Sequence, residues 1–286
     1  MMKINENIQE LRKICQFPRR EVDTWHGRHV CRPFSIYITR VAILLGIPAN
    51  TVTLIFFIIG LLACFFFMYG TGLGFLVGAL TLQFWYLMDM VDGEVARYRK
   101  ETSATGSYFD KMVHYAVNAS IFFSLGFGIY RDIDVPHSIV IGFIAGISIV
   151  LISASDDLKN MCVLTKAEKA GKDIRFNRLQ KKEEIIRRKE SVPKRLFSLI
   201  HALCTFPTFM NVITLSVVLD IIIDENILYW LVFAYAVLTT FVWMSKLAFN
   251  IKNKNVDKKL KGLTGNDTQC ARKTLEGTGN KTSVSI

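Results

Sequence analysis

The stretch 89–114, DMVDGEVARYRKETSATGSYFDKMVH, concentrates the residues able to do chemistry. Asp89, Asp92, Gly93 and Ala96 fall at offsets of three, four and seven positions, so on a helix they share one face. Gly106, Asp110 and His114 recur every fourth position and form a second stripe. A polar connection over 97–105 joins the two, which sets the helix ends side by side and lets three carboxylates and an imidazole meet. Carboxylates at the ends of apolar helices are costly unless something compensates, and a divalent cation does so. Oxygen donors suit Mg²⁺, Mn²⁺ or Ca²⁺, and the absence of nearby cysteine argues against zinc. A pair of such ions would clamp a diphosphate and stabilise a departing phosphate. Gly93, Ala96 and Gly106 would admit a bulky ligand close to the backbone, and Arg97 and Arg99 would add fixed positive charge. The plainer reading, helix-end acids paired with Arg97, Arg99, Lys100 and Lys111, accounts for the charges but not for the glycine and alanine positions.

These stripes need a scaffold, and the composition identifies its solvent. Of 286 residues 51% are hydrophobic and 21 are Phe, with a mean hydropathy of +0.31, which points to lipid rather than to a soluble globule. A span needs about 20 mostly apolar residues to cross a hydrocarbon core of roughly 30 Å. Six stretches qualify, near 50–69, 73–92, 106–129, 137–155, 205–223 and 227–248. The fold class expected is all-α, a polytopic membrane protein with six transmembrane helices. Turns over 69–74, 131–136 and 224–226 join them in pairs on one side. Ahead of the first span, residues 32–47 (RPFSIYITRVAILLGI) alternate an apolar face with basic residues through Ile36, Ile38, Thr39, Arg40 and Leu44. That pattern reads as a helix lying on the cytoplasmic leaflet; an early start of the first span is the alternative.

The net charge of +11 is carried by segments flanking the apolar runs, which favours membrane lipids with anionic headgroups over nucleic acid as partner. Of the 35 Lys and Arg, only Arg131 falls on the side of the three turns. By the positive-inside rule both termini and the acid cluster are cytoplasmic. Asn266 and Asn280, which match glycosylation sequons, are then cytosolic and unmodified. The basic run 178–189 reads as a surface helix touching headgroups, and the polar tail as disordered. The six cysteines are scattered without a C-x-x-C pair and read as reduced thiols or lipid-facing side chains. Residues 1–30 carry no cleavable signal. The expected organisation is an N-terminal cytoplasmic segment over 1–30, a membrane domain over 31–250 that includes the basic connection 158–195, and the tail over 251–286.

The order D-x2-D-G-x2-A-R-x8-G-x3-D is met without a gap by Asp89, Asp92, Gly93, Ala96, Arg97, Gly106 and Asp110. It resembles the signature of the CDP-alcohol phosphotransferase (phosphatidyltransferase) family. Upstream, residues 46–53 (GIPANTVT) resemble the Pro-Asn-x-x-Thr entry to that family's first transmembrane helix, with Ala49 inserted between Pro48 and Asn50. The six-span layout behind an interfacial helix is similar as well, so the resemblance covers roughly 30–250. It implies that Asp89, Asp92 and Asp110 bind divalent metal, as two Mg²⁺ or Mn²⁺ ions. Gly93, Ala96, Arg97 and Gly106 would hold the cytidine and diphosphate of a CDP-alcohol donor. An acceptor hydroxyl would attack the phosphorus that carries the alcohol, releasing CMP. One position departs from the pattern: its fourth Asp, a base or a metal ligand, is His114 here. Imidazole can take a proton or give a lone pair to a metal. His114 is therefore placed in the catalytic group as base or ligand of a variant subgroup; it could instead mark a different acceptor or a lost activity.

Within a transferase, the donor is CDP-diacylglycerol with a small alcohol acceptor in phospholipid biosynthesis, or a CDP-polyol with a polyol phosphate, lipid or glycan acceptor. From another class, a non-catalytic relative would bind CDP-lipid or scaffold a membrane complex. Loss of the last Asp favours that alternative, and retention of the other three opposes it. A transporter would be expected to show a two-fold internal repeat, and none is visible. A homodimer is expected from the family alone, since no GxxxG face stands out in the spans.

Overall fold

The computed structural model describes residues 7–19, 23–169, 199–223, 225–258 and 260, and among these there is helix and no strand. The basic run 178–189 and the tail beyond 260 lie outside the described residues. The α-helices are α1 (Ile8–Cys15), α2 (Arg32–Leu44), α3 (Ala49–Phe67), α4 (Gly72–Arg99), α5 (Ala104–Ile133), α6 (His137–Lys169), α7 (Thr208–Ile223) and α8 (Ile227–Lys252). Helices α3, α4, α5, α6 and α8 are each long and apolar enough to cross a membrane, so the chain is an integral membrane protein with five candidate spans. The expected fifth stretch is the exception. As α7 it has 16 residues, which at 1.5 Å each reach only ~24 Å.

Local sequence sets the helix ends. Pro48, in an extended conformation, precedes α3. The Thr71 hydroxyl accepts from Gly74 N at the start of α4, and Ser103 Oγ accepts from Gly106 N at the start of α5. Helix α4 closes at Lys100 in the left-handed region and α5 at Asp134, also left-handed. Two boundaries differ from the sequence expectation. The polar connection expected over 97–105 is only 100–103, because α4 continues helically through Arg99. Likewise α6 runs to Lys169, past the end of its apolar stretch. A count of apolar residues registers the hydrocarbon-spanning part of a helix, whereas Arg, Lys and Glu prolong it into water at little cost in propensity.

Helix α2 is separate from α3 rather than its early start: Gly46, at φ 74, turns the chain between them. Its Phe34, Tyr37, Val41 and Leu44 are exposed on one face, while Arg32, Ser35, Ile36, Thr39, Ala42 and Ile43 are buried on the other. That buried face rests on α4.

The chain divides into two compact units, Met1–Val150 with Ala202–Thr240, and Leu151–His201 with Phe241–Ile286. In the first, α4 packs most extensively on α3 and also on α2 and α7. Trp85, Phe56, Phe67, Phe122 and Phe209 are fully buried in its core. Polar pairs join spans there: Gln83 Nε2 donates to Thr214 Oγ1 (2.8 Å), and Ser148 shares a hydrogen bond with Thr240 (2.9 Å). Asp220 Oδ1 accepts from Leu228 N (3.2 Å) at the start of α8. Gly142 and Gly146 form a GxxxG pair that the sequence reading passed over. A Cβ on Gly142 would lie 2.3 Å from Phe122 O, and one on Gly146 2.5 Å from Ala119 O, so the pair serves α5–α6 contact inside the chain. In the second unit Lys246 Nζ donates to Asp156 Oδ2 (2.5 Å) and lies 3.0 Å from His201 Nε2. No disulfide forms among the described cysteines; Cys15, Cys31, Cys64 and Cys204 are buried and Cys162 is exposed.

Candidate functional site

The motif-bearing ends of α4 and α5 lie beside the start of α3, and two groups of side chains form where they meet. In the first, His114 Nε2 lies 3.0 Å from Asp89 Oδ1 and 3.4 Å from Asp110 Oδ1. One ligand atom from each of the three falls within 4.8 Å of the others. The imidazole rests on aromatic rings, with centroids 5.2 Å from Trp85, 5.5 Å from Phe206 and 6.0 Å from Phe56. These rings fix its plane and leave its Nε2 edge to the two acids.

The second group surrounds a cavity of about 250 Å³. Asp92, Gly93, Ala96, Arg97, Gly106 and Asp110 all line it, so six of the eight residues singled out by spacing share one chamber. Asp89 and His114 are not on its wall. Asp92 does not enter the close trio either; it turns to Thr53, whose hydroxyl donates to Asp92 Oδ2 (2.9 Å). The single cluster of three acids and one imidazole expected from the stripes is thus drawn out into two groups that share Asp110. The reason lies between the helices: Asp92 meets Thr53 of α3, whereas Asp89 meets His114 of α5.

Small residues shape the chamber. A Cβ on Gly93 would stand 3.1 Å from Arg97 Nη1, and one on Gly106 3.3 Å from Asn50 Oδ1 and 3.2 Å from Ser103 Oγ. Arg97 is turned away from open water by its Nε, which donates to the Cys15 carbonyl (2.6 Å).

Several wall residues carried no assigned role in the sequence reading. Asn50 and Thr53 belong to the 46–53 stretch already noted for its resemblance, and their i, i+3 spacing on α3 was the available signal. Ser103, Ser107 and Arg19 also line the chamber, and nothing local in the sequence marks Arg19. Glu94, inside the motif, was passed over as a variable position. It is fully buried and accepts from Arg32 Nη1 (2.6 Å), Ser35 Oγ (2.7 Å), Gln16 Nε2 (3.0 Å) and Thr39 Oγ1 (2.6 Å). Arg32 in turn donates Nε and Nη2 to Asp23 (2.9 and 3.0 Å). Burial works against the Arg32 charge, and the bonds to Asp23 and Glu94 more than reverse it, so this guanidinium titrates above its ordinary range.

The donor set suits a hard divalent cation. It consists of carboxylate oxygens with one imidazole nitrogen, and Asp110 Oδ1 is buried with only the long 3.4 Å contact to His114 and no well-formed hydrogen bond. A buried carboxylate oxygen left short of a partner is costly, and coordination would satisfy it.

Membrane-length helices thus carry an acid and imidazole trio that could hold a metal ion beside a polar chamber. A family model described as CDP-alcohol phosphatidyltransferase matches residues 47–242. The chain belongs to that family, and at this level it is a transferase. No curated protein matches it.

Proposed function

We propose that this protein moves a phospho-alcohol group from a CDP-alcohol to an acceptor hydroxyl and releases CMP. The observation that carries this reading is the chamber in which Asp92, Gly93, Ala96, Arg97, Gly106 and Asp110 converge, with Asp110 shared by the acid and imidazole trio. Gly93, Ala96 and Gly106 supply room against the backbone for the donor nucleotide, and Arg97 supplies positive charge for its phosphates. Asp89, Asp92 and Asp110 would hold the divalent ions, Mg²⁺ or Mn²⁺. Such ions, when bound, neutralise a diphosphate and stabilise the departing CMP. In the transfer, the acceptor oxygen forms a bond to the phosphorus bearing the alcohol, the bond from that phosphorus to the bridging oxygen of the diphosphate breaks, and CMP leaves with the electron pair. The acceptor proton passes to a base at the chamber.

His114 fits the ligand set better than the role of base. Its Nε2 faces Asp89 and Asp110, the atoms that would share a cation with it, and the ring lies off the chamber wall. We place six spans in the membrane, with α7 as a short fifth, and α2 on the cytoplasmic leaflet with its Phe34, Tyr37, Val41 and Leu44 face towards lipid. Both termini and the chamber then lie on the cytoplasmic side. The membrane domain spans 31–250, and the active form is a homodimer.

The test is CMP release by the purified protein in lipid, with Mg²⁺ or Mn²⁺, from CDP-diacylglycerol, CDP-inositol, CDP-glycerol and CDP-ribitol with pooled acceptors. Asp92→Asn serves as the blank. CMP that appears only with metal and intact Asp92 is the expected result and names the donor. A second reading has one observation in its favour: with Nε2 between two carboxylates, a protonated His114 could neutralise them without metal. On that reading the protein is a non-catalytic relative that binds CDP-lipid or scaffolds a membrane complex. CDP binding that ignores chelator, with no CMP from any donor, would establish it.

A further inference from the structure

The family match begins at residue 47, yet one wall residue of the chamber comes from far upstream. Arg19 lines it together with Arg97, Gly93 and Asp110. Its side chain is exposed at the mouth, but its backbone is held on both sides. Arg19 N donates to the Gln16 carbonyl (3.0 Å), and the Arg19 carbonyl accepts from Asp23 N (3.0 Å). Both flanking residues belong to the network around Glu94. The Gln16 side chain donates to Glu94 Oε1 (3.0 Å) and to the Arg32 carbonyl (2.9 Å), and Asp23 clasps Arg32, which donates to Glu94. A second tie lies next to the first: Cys15, at the end of α1, accepts from Arg97 Nε. The segment bearing Arg19 is therefore fastened to α4 at Glu94 and at Arg97, the positions that flank Val95 and Ala96 inside the motif.

A buried carboxylate with four donors is a costly device unless geometry matters. Here the geometry it fixes is the placement of a fixed positive charge at the mouth of a chamber read as a diphosphate site. Guanidinium is suited to that ligand because its planar fork matches phosphate oxygens.

We propose that Arg19 is a donor-phosphate-binding residue contributed from outside the family's matched region, and that Glu94 is the positioning residue that delivers it. This rests on the nucleotide reading of the chamber given above. Gln16, Asp23 and Arg32 transmit the placement. Removing Arg19 weakens binding of the nucleotide's phosphates and leaves binding of its base and ribose alone.

The experiment is equilibrium binding of CDP and of cytidine to the full chain in lipid nanodiscs with Mn²⁺. Proteins compared are wild type, Arg19→Ala, Arg19→Lys, Glu94→Gln and the Arg19→Ala/Glu94→Gln double variant. Arg19→Ala is expected to weaken CDP about tenfold, the loss of one charge-assisted bond, with cytidine unchanged. Arg19→Lys should recover part of the loss. Glu94→Gln should weaken CDP in the wild-type background but add little once Arg19 is gone, since both act through one side chain. Arg19 is exposed, so its substitution does not endanger folding. Metal-dependent CDP binding by wild type with an unchanged affinity in Arg19→Ala would overturn this inference while leaving the nucleotide site standing. Additive losses in the double variant would overturn the role given to Glu94. Absence of CDP binding by wild type would remove the site itself and the inference with it.

Discussion

Asp92 depends on a neighbour that the motif does not contain. Its Oδ2 accepts from the Thr53 hydroxyl of α3, a bond to a charged group that is worth about 1.5–3 kcal/mol. Thr53→Val keeps the shape and removes the donor. We expect it to lower CMP release about tenfold and the melting temperature by several degrees; unchanged turnover would mean that Asp92 is held by other means. The same pair shows what a single sequence can and cannot display. The stripes on α4 and α5 were readable because helical pitch fixes which residues of one helix share a face. The meeting of Asp92 with Thr53, and the departure of Asp92 from the trio, depend on how α3 lies against α4, which spacing within either helix does not encode.

Among the elements, the C-terminal end of α4 is held by contacts from far away in the chain. Arg32 reaches Glu94 across 62 positions and Gln16 reaches it across 78. Such separations explain why Glu94 looked like an unremarkable motif filler. They also make a graded expectation. Ser35→Ala deletes one of four donors and should cost about 1 kcal/mol, whereas Glu94→Ala removes the acceptor shared by Ser35, Thr39, Gln16 and one edge of Arg32, leaving Arg32 to Asp23, and should cost about 3–5 kcal/mol. Thermal unfolding in one detergent, followed by loss of monodisperse protein, separates the two; equal effects would indicate that the network contributes packing alone. The starts of α4 and α5 lie within two residues of the expected 73 and 106. Helix ends were misread where a polar run simply prolonged a helix, as from Arg97 to Arg99 in α4.

For the molecule as a whole, two expectations concern how helices share space and which side they face. Gly142 sits so close to Phe122 O and Gly126 that a larger side chain has nowhere to go. Gly142→Val should prevent accumulation of folded protein, while the conservative Gly142→Ala should fold with a lower melting temperature. Overpacking of this kind typically costs about 1–3 kcal/mol. Had the pair instead mediated self-association, Gly142→Val would yield stable monomer, and sizing would reveal it. Sidedness is tested with impermeant maleimide on intact vesicles of known orientation. Cysteine in place of Arg131 should label only from the non-cytoplasmic face, and the exposed Cys162 only from the cytoplasmic face. The reverse pattern would invert the topology. That the chain is built of membrane-length helices was readable because hydropathy is a sum over many residues, and five of the six expected stretches are long and apolar enough to span. The tight α5–α6 crossing was not, because a GxxxG pair signals close approach without saying to which neighbour.

The clasp between Arg32 and Glu94 bears on how this chain could have been assembled by descent. Arg32 lost alone leaves Glu94 as a buried charge, and Glu94 lost alone leaves its other donors without an acceptor, so one-step paths away from the pair pass through a crippled protein, whereas joint replacement of Asp23, Arg32 and Glu94 by apolar residues is tolerable. Among relatives, these positions should therefore change together or not at all. Where position 94 is not acidic, the upstream segment that carries Arg19 should be free to shorten, drift or disappear.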